Sequence, residues 1–241
     1  MVIHVDWLAE DLLLLTIDAY RGRLGQAYAL SYALMGAELI RLAAQGQIDL
    51  SGDRIVLTNA APTGDAELDA ALAGIGESAS PPRPDEWVAR PRPRISGRYL
   101  ERLEAVGVVR AETRFSATRW RISEASRLAE ARQRLDVIAG SAGAVDLAQT
   151  AYAGLACAIG LDRRLYRGRA RRAERDRLRE IAAGRWTASP AAASDSADPA
   201  RADSSAATLA AIDAATRAAV SAAAQAVAQA TAAAANPGYG G

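Results

Sequence analysis

The sequence contains no lysine, and it has only one cysteine, one histidine and one phenylalanine among 241 residues. Without lysine it lacks both the phosphate-binding lysine of a P-loop and a Schiff-base lysine. The single histidine, His4, excludes metal sites built on histidine pairs, and its terminal position does not suit a Ser-His-Asp triad. We therefore expect no metal, no cofactor and no catalytic residue, and the sequence predicts a protein that is not an enzyme.

The remaining composition bounds the compartment and the partners. Cys157 is the lone cysteine, so an internal disulfide is excluded, and its apolar surroundings "GLACAIG" favour a buried structural thiol in a reducing cytosol. A formal net charge of +1 predicts no strong overall attraction to polyanions, so such binding requires a local patch. We expect no secretory signal, and the apolar run "DLLLLTI" is too short to span a bilayer. The expected location is cytoplasmic, with membrane contact that is at most peripheral.

The spacing of apolar residues predicts a mainly α fold, with amphipathic helices around a central hydrophobic helix and short β-hairpins. The segment "QAYALSYALMGAELIRLAAQGQI" (26–48) is apolar on almost every side, which is typical of a helix in the middle of a fold. The segment "QIDLSGDRIVLT" (47–58) predicts a hairpin. Further helices are predicted for 4–18, for both ends of a helix–hairpin–helix at 95–135, for 145–161, and for the arginine-rich segment 162–186.

A change in composition after Trp186 predicts the domain organisation. Residues 1–186 are expected to form one helical domain. Residues 187–205 are rich in Ala, Ser, Asp and Pro, which predicts a disordered linker, and 206–241 predict an Ala-rich helical tail of weak amphipathicity.

The segment "APTGDAELDAAL" (61–72) joins a turn to a helix that begins with carboxylates. Thr63 or Asp65 can cap this helix, and carboxylates in a first turn interact favourably with the helix dipole. The alternative is an enzyme that uses carboxylates alone, in an acidic pocket around Asp65 and Asp69. Since no partner that would shift their pKa is identifiable in the sequence, we favour the structural interpretation.

Two arginine clusters are the remaining candidates for function. In the first, arginines lie on a Pro-rich connector and at the start of the next helix, where guanidinium groups and backbone N–H groups can hold a phosphate; a solvated loop is the alternative. Its members are Arg90, Arg92, Arg94 and Arg98. The second runs from Asp162 to Glu180, and it is either the charged outer face of a packed helix or a surface for anionic lipid.

The helix–hairpin–helix at 95–135 also resembles a winged helix with "VRAETRFSATRW" as the wing. This alternative function is a regulator that binds DNA or a protein partner. Arg114, Arg119 and Arg121 would contact phosphate, and Arg98 and Arg102 would face a groove. Acidic residues on the same helix and a nearly neutral chain oppose nucleic-acid binding.

Five segments in order resemble the Golgi phosphoprotein 3 family, and specifically a bacterial member of it. The segments are "DLLLLTIDAYRGRL", "YALMGAELIRLAAQGQI", "APTGDAELDAAL", "RYLERLEAVGVVRAE" and an arginine-rich helix ending in "GRW". The resemblance covers about residues 6–186, and "PTGD" followed by "LDAAL" is its most specific element. It implies a mainly helical fold around a hydrophobic helix, and a peripheral membrane protein that binds phosphatidylinositol 4-phosphate and sorts protein cargo.

The resemblance also implies where the headgroup binds. In the family, a Trp precedes the second helix, a basic residue lies within that helix, and two basic residues open the helix that begins "RxL". Here Tyr28 is the aromatic residue near the first position, and Met35 occupies the second. The last two positions fall near Pro93 and Ser96, which are flanked by arginines.

The resulting expectation is a non-enzymatic adaptor that binds an anionic phospholipid or phosphoinositide headgroup. Arg92, Arg94 and Arg98 would hold the phosphate, and Tyr28 would pack beside the sugar ring. Four arginines of the helical segment would add attraction to the membrane surface: Arg164, Arg167, Arg171 and Arg175. A protein cargo is a further expected partner, and self-association through the hairpin region is a possibility that the resemblance raises.

Overall fold

The computed structural model describes residues 5–18, 20–25, 27–114, 117–184 and 199–235. Within them the chain forms ten helices and two antiparallel hairpins, which confirms the mainly α fold with short hairpins. The helices are α1 (Leu8–Thr16), α2 (Ala27–Ala44), α3 (Ala66–Gly76), α4 (Pro84–Val88), α5 (Ile95–Ala105), α6 (Ala125–Gly140), α7 (Leu147–Ala158), α8 (Leu161–Leu165), α9 (Arg172–Ala182) and α10 (Pro199–Ala235). The strands are β1 (Ile48–Ser51), β2 (Arg54–Leu57), β3 (Val109–Arg114) and β4 (Ala117–Ile122).

Helix α2 lies at the centre of the core, as its all-round apolar sequence predicts. Its side chains are buried along almost the whole helix, and Leu34, Met35 and Ile40 are fully buried. Helices α1, α3, α4, α5, α7 and α10 all contact α2. Beyond its first turn this helix has no solvent-facing side, so its polar residues there need partners from the helices around it. Among the described helices, none has the combination of length and hydropathy that crossing a bilayer requires.

Both predicted hairpins are present. Strands β1 and β2 pair from Ile48–Leu57 to Ser51–Arg54, and Gly52 takes the left-handed φ of 63° that their two-residue turn needs. Strands β3 and β4 pair from Val109–Ile122 to Arg114–Ala117. Phe115, predicted in this second hairpin, lies outside the described residues.

The arginine-rich segment does not form the single helix that its sequence predicts. It forms the short α8 and then α9, with a turn between them in which Gly168 has a φ of 82°. A positive φ is not helical, so a continuous helix cannot run through Gly168. Val106 follows Leu100 and Leu103 at helical spacing, and this spacing alone predicts that it is buried with them. It is exposed because α5 has already ended at Ala105.

The C-terminal helix begins earlier than predicted and packs on the core. Helix α10 starts at Pro199, so residues 199–205, expected in a linker, are helical, whereas 187–198 lie outside the described residues. Its contacts with α2 are the most extensive between any two helices of the described chain. Ile212, Ala219 and Ala223 are buried against the core. Small alanine side chains permit this close approach between helices, which gives a weakly amphipathic helix a buried face.

Candidate functional site

The carboxylates of "PTGD" hold the start of α3. Asp65 is the N-cap, and its Oδ1 accepts hydrogen bonds from the backbone N–H groups of Glu67 at 3.0 Å and Leu68 at 3.4 Å. Thr63 donates from its backbone N and its Oγ1 to Asp69 Oδ1, each at 2.7 Å. These bonds confirm the structural interpretation of the segment, with Asp65 rather than Thr63 as the cap.

The second oxygen of Asp65 joins two arginines from other helices. Asp65 Oδ2 accepts from Arg41 Nη2 at 2.8 Å and from Arg102 Nη1 at 2.9 Å. Arg102 also lies 3.0 Å from Glu10 Oε1 on α1. Burial opposes ionisation of Asp65, but the two arginines outweigh it and hold the pKa of that carboxyl below its usual range. Arg102, expected to face a DNA groove, therefore connects α1, α3 and α5.

A second ion-pair cluster surrounds Arg92, which the sequence analysis assigned to phosphate. Arg92 Nη2 lies 2.6 Å from Glu38 Oε1 and 3.0 Å from Glu67 Oε2, and the side chain is only 15% exposed. Arg98 Nε donates to both carboxylate oxygens of Glu67, at 2.8 and 2.9 Å. These contacts place Arg92 and Arg98 on one internal carboxylate, that of Glu67.

Arg94 lies differently, because its side chain is 78% exposed. It donates to Glu101 Oε1 at 2.7 Å across the surface of α5. Its backbone is the N-cap of α5 and has a left-handed φ of 58°, and its side chain makes no capping hydrogen bond. The N-terminus of α5 thus has a cation at the cap position, where an anion or an acceptor is preferred.

Tyr28 lies near the same end of α5. The hydroxyl of Ser31 on α2 lies 3.3 Å from that of Ser96 in the first turn of α5. Tyr28 is one turn before Ser31 on the same face of α2, it is 67% exposed, and its ring packs edge-to-face on Tyr32. The structure therefore places Tyr28 and the start of α5 in one surface region. Met35, at the position where the family has a basic residue, is buried in the core.

The four arginines expected to attract a membrane surface do not form one free face. Arg164 donates to the carbonyls of Leu15 and Thr16 at 2.9 and 3.0 Å, so it caps the C-terminus of α1. Arg175 donates to the carbonyl of Tyr166 at 3.1 Å. The other two members are exposed: Arg171 is paired with Glu174, and Arg167 has no ion pair in the described part of the chain.

A basic surface is formed by the loop between α1 and α2 and by strand β4; the sequence analysis considered only its β4 arginines, as contacts of a wing with DNA. The backbone N of Trp120 donates to the carbonyl of Gly22 at 2.6 Å, which joins the two segments. We call this the connector surface; it comprises Tyr20, Arg21, Arg23, Arg119 and Arg121, of which all but Arg121 are exposed. The signal in the sequence is "YRGR", where a turn carries two arginines and an exposed aromatic residue.

The described residues offer few groups suited to metal binding or to nucleophilic catalysis. They contain no group of three or more His, Cys, Asp or Glu residues placed to hold a metal ion. Burial raises the pKa of the Cys157 thiol to about 12, so this thiol stays protonated and unreactive near neutral pH.

Comparison with known protein families gives a match that runs from α1 into α10. The family model of Golgi phosphoprotein 3 (GPP34) matches residues 8–234, and the chain belongs to this family. The match extends well beyond Trp186, where the sequence analysis ended the resemblance, and it includes α10. This extent agrees with the packing of α10 on the core. A search of curated proteins finds no match.

Proposed function

We propose that the protein is a non-enzymatic, peripheral membrane protein that binds the phosphorylated headgroup of an anionic lipid at the start of α5. The observation that carries this proposal is the exposed guanidinium of Arg94 at a helix N-terminus that no described side chain caps. Backbone N–H groups and the dipole at such an end favour a phosphate, and Arg94 adds a charged donor. Membership of the Golgi phosphoprotein 3 family supports a lipid-binding role.

The surrounding residues have separate roles in this proposal. Arg94 contacts the phosphate, Arg98 contributes the guanidinium N–H groups that Glu67 does not take, and Tyr28 packs against the sugar ring of the headgroup. Arg92 holds the preceding loop through its ion pairs with Glu38 and Glu67. Phosphatidylinositol 4-phosphate is the first lipid to test, because it combines a sugar ring with a phosphomonoester.

The connector surface supplies the diffuse attraction that the sequence analysis assigned to the α8–α9 region. Its exposed guanidinium groups interact with anionic lipids without defined geometry, and this attraction is screened by salt. Protein cargo and self-association remain proposals that this site does not address.

Vesicle flotation tests the site. Phosphatidylcholine vesicles would contain either phosphatidylinositol 4-phosphate or phosphatidylserine at equal total charge. We expect Arg94→Ala to weaken binding to the phosphoinositide by at least fivefold, since it removes a charge-assisted contact. The matched control is Arg90→Ala. Arg90 is exposed and lies on the Pro-rich segment that also carries Arg94, and its replacement should leave binding unchanged. Equal affinity of the wild type and Arg94→Ala would show that the site is elsewhere.

The same assay addresses the DNA-binding alternative. Arg98 and Arg102, its groove-facing pair, lie in ion pairs with Glu67, Asp65 and Glu10. We therefore expect an added DNA duplex not to compete with the vesicles. Salt-dependent DNA binding that is lost in an Arg119→Ala, Arg121→Ala variant would favour the alternative.

A further inference from the structure

Helix α2 carries a carboxylate in the middle of the hydrophobic core. The side chain of Glu38 has no solvent exposure. Its Oε1 accepts from Arg92 Nη2 at 2.6 Å and from the Tyr99 hydroxyl at 3.3 Å, whereas Oε2 has no hydrogen-bond partner among the described residues. A half-satisfied carboxylate in this position is costly while ionised, and a proton on the free oxygen removes the buried negative charge, which is the larger part of that cost.

The charged groups around Glu38 come from each side of α2, and together they leave one positive partner in contact. They are Arg92 before α5, Glu67 on α3, Tyr99 on α5 and Arg41 one turn along α2. The charged residues on the other helices packed against α2 have partners of their own. Glu10 and Asp11 of α1 pair with Arg102 and Arg134, Asp85 and Glu86 of α4 both bond to Arg83, and Asp213 of α10 pairs with Arg217. Burial raises the pKa of Glu38 to about 7, although Arg92 lowers it and Glu67 raises it further. Protonation near neutral pH follows from this balance.

Arg92 connects Glu38 to the start of α5. Its backbone carbonyl accepts the N–H of Ile95 at 3.2 Å, which is the first residue of α5. The carbonyl of the next residue, Pro93, accepts from Arg98 Nη1 at 2.5 Å. A change in the charge balance around Arg92 therefore acts directly on the segment that carries Arg94 and Arg98.

We propose that Glu38 is a proton-sensitive control of the headgroup site: a proton taken up from solvent on Oε2 neutralises the partner of Arg92 and leaves one unbalanced positive charge behind the first turn of α5. This inference rests on the proposed function. The added charge favours an anionic headgroup, so binding is tighter at pH 6 than at pH 8. By linkage, a bound anion must promote protonation of Glu38 to the same degree.

The first test compares vesicle binding at pH 6 and pH 8. Phosphatidylserine vesicles are included because a phosphomonoester itself titrates in this range. We expect the wild type to bind about fivefold more tightly at pH 6, at the low end of typical coupling between sites. On the phosphatidylserine vesicles, whose charge does not change in this range, Glu38→Gln, which imitates the protonated carboxyl, should bind at both pH values as the wild type does at pH 6. Glu77→Gln, an exposed glutamate on α3's C-terminal side, should behave as the wild type. Wild-type pH dependence that persists in Glu38→Gln would overturn the proposal.

The second test follows Glu38 without lipid. Urea unfolding of the full chain between pH 5.5 and 8.5 should show wild-type stability falling as pH rises, because a carboxyl with a raised pKa stabilises the folded state only while protonated. Glu38→Gln should lack this decline. His4→Gln is the control, since the chain has a single histidine. Tyr99→Phe removes a hydrogen bond that lowers the pKa of Glu38, so it should move the transition to higher pH.

The two tests separate the possible failures. If the wild type binds no vesicle at either pH while unfolding still depends on Glu38, then the headgroup function is wrong and the titration of Glu38 stands. If unfolding of the wild type and Glu38→Gln responds equally to pH, then Glu38 does not titrate near neutrality. The proposed pH dependence of the headgroup site is then disproved, whatever the vesicles show. Tyr99→Phe gives an independent result if Glu38→Gln fails to fold.

Discussion

Arg41 on α2 donates from Nη2 to Asp65 Oδ2 at 2.8 Å, while the other oxygen of Asp65 caps α3. One carboxylate thus satisfies the helix that follows it and neutralises a guanidinium that is almost fully buried. The "PTGD" turn is therefore the point at which α3 is fixed to the central helix. This is a structural role, and it accounts for carboxylates that have no catalytic partner.

Asp65→Asn should lower the free energy of unfolding by about 3 kcal/mol, because it removes the close partner of the buried Arg41 and leaves only the longer contact of 3.5 Å with Asp6. Asparagine is as good an N-cap as aspartate, so the loss reports the ion pair rather than the cap. Urea unfolding measures it. Asp53→Asn is the control, since Asp53 pairs with Arg83 on an exposed turn and should change stability by less than about 0.5 kcal/mol. Equal effects of the two substitutions would contradict the structural role.

Acid should remove the contribution of Asp65. Burial raises the pKa of this carboxyl, but the hydrogen bond and charge of Arg41 and the charge of Arg102 lower it more, so the folded-state pKa lies below the usual value for an aspartate. A depressed pKa gives stability that is present above the unfolded pKa and is lost as pH falls through the folded one. The stability difference between the wild type and Asp65→Asn should therefore shrink between pH 5 and pH 2.5. A difference that stays constant over this range would show that Asp65 is not the titrating group.

The sequence predicts the helices well because burial follows apolar spacing, as in the stripe of Leu68, Leu72 and Ile75 on α3. It does not predict the partners of the arginines, because ion pairs join residues that are distant in the chain. Arg92 has no acidic residue within five positions along the chain, and it pairs with Glu38 and Glu67, which are 54 and 25 residues away. One sequence signal for this pairing was available. Glu38 is an acid within a helix that is apolar on almost every side, so it needs a cationic partner from another part of the chain.

The tail shows a second limit. Ile212, Ala215, Ala219, Ala222 and Ala226 are buried and recur at intervals of three and four residues, which is helical periodicity. The rest of α10 is also mostly alanine, so the contrast in hydropathy between its faces is small. Packing of α10 therefore depends on close approach of backbones rather than on large apolar side chains. For this reason the composition of α10 does not distinguish a packed helix from an independent tail.

Arg164→Ala should lower stability by about 1–2 kcal/mol, because Arg164 donates to two carbonyls at the end of α1 that no residue of α1 can satisfy. Arg167→Ala removes the same charge from an exposed position three residues later, and it should leave stability within about 0.5 kcal/mol of the wild type. Thermal or urea unfolding distinguishes the two. A comparable loss in vesicle binding for both variants, without a stability difference, would instead support the membrane-surface role expected from the sequence.

Gly154 on α7 provides a test of how α10 docks. A Cβ at this position would lie 2.5 Å from Val220 Cγ2 and 2.9 Å from Val220 Cγ1, so Gly154→Ala should overpack the α7–α10 contact and destabilise the protein by about 1–3 kcal/mol. Shortening the opposing side chain with Val220→Ala in the same chain should recover most of this loss. Gly140→Ala at the end of α6 is the control, because no described atom outside its immediate surroundings lies within 4 Å of the added methyl group. If Gly154→Ala is as mild as Gly140→Ala, then α10 does not rest on α7, whereas rescue by Val220→Ala would establish that the C-terminal helix is part of the folded core.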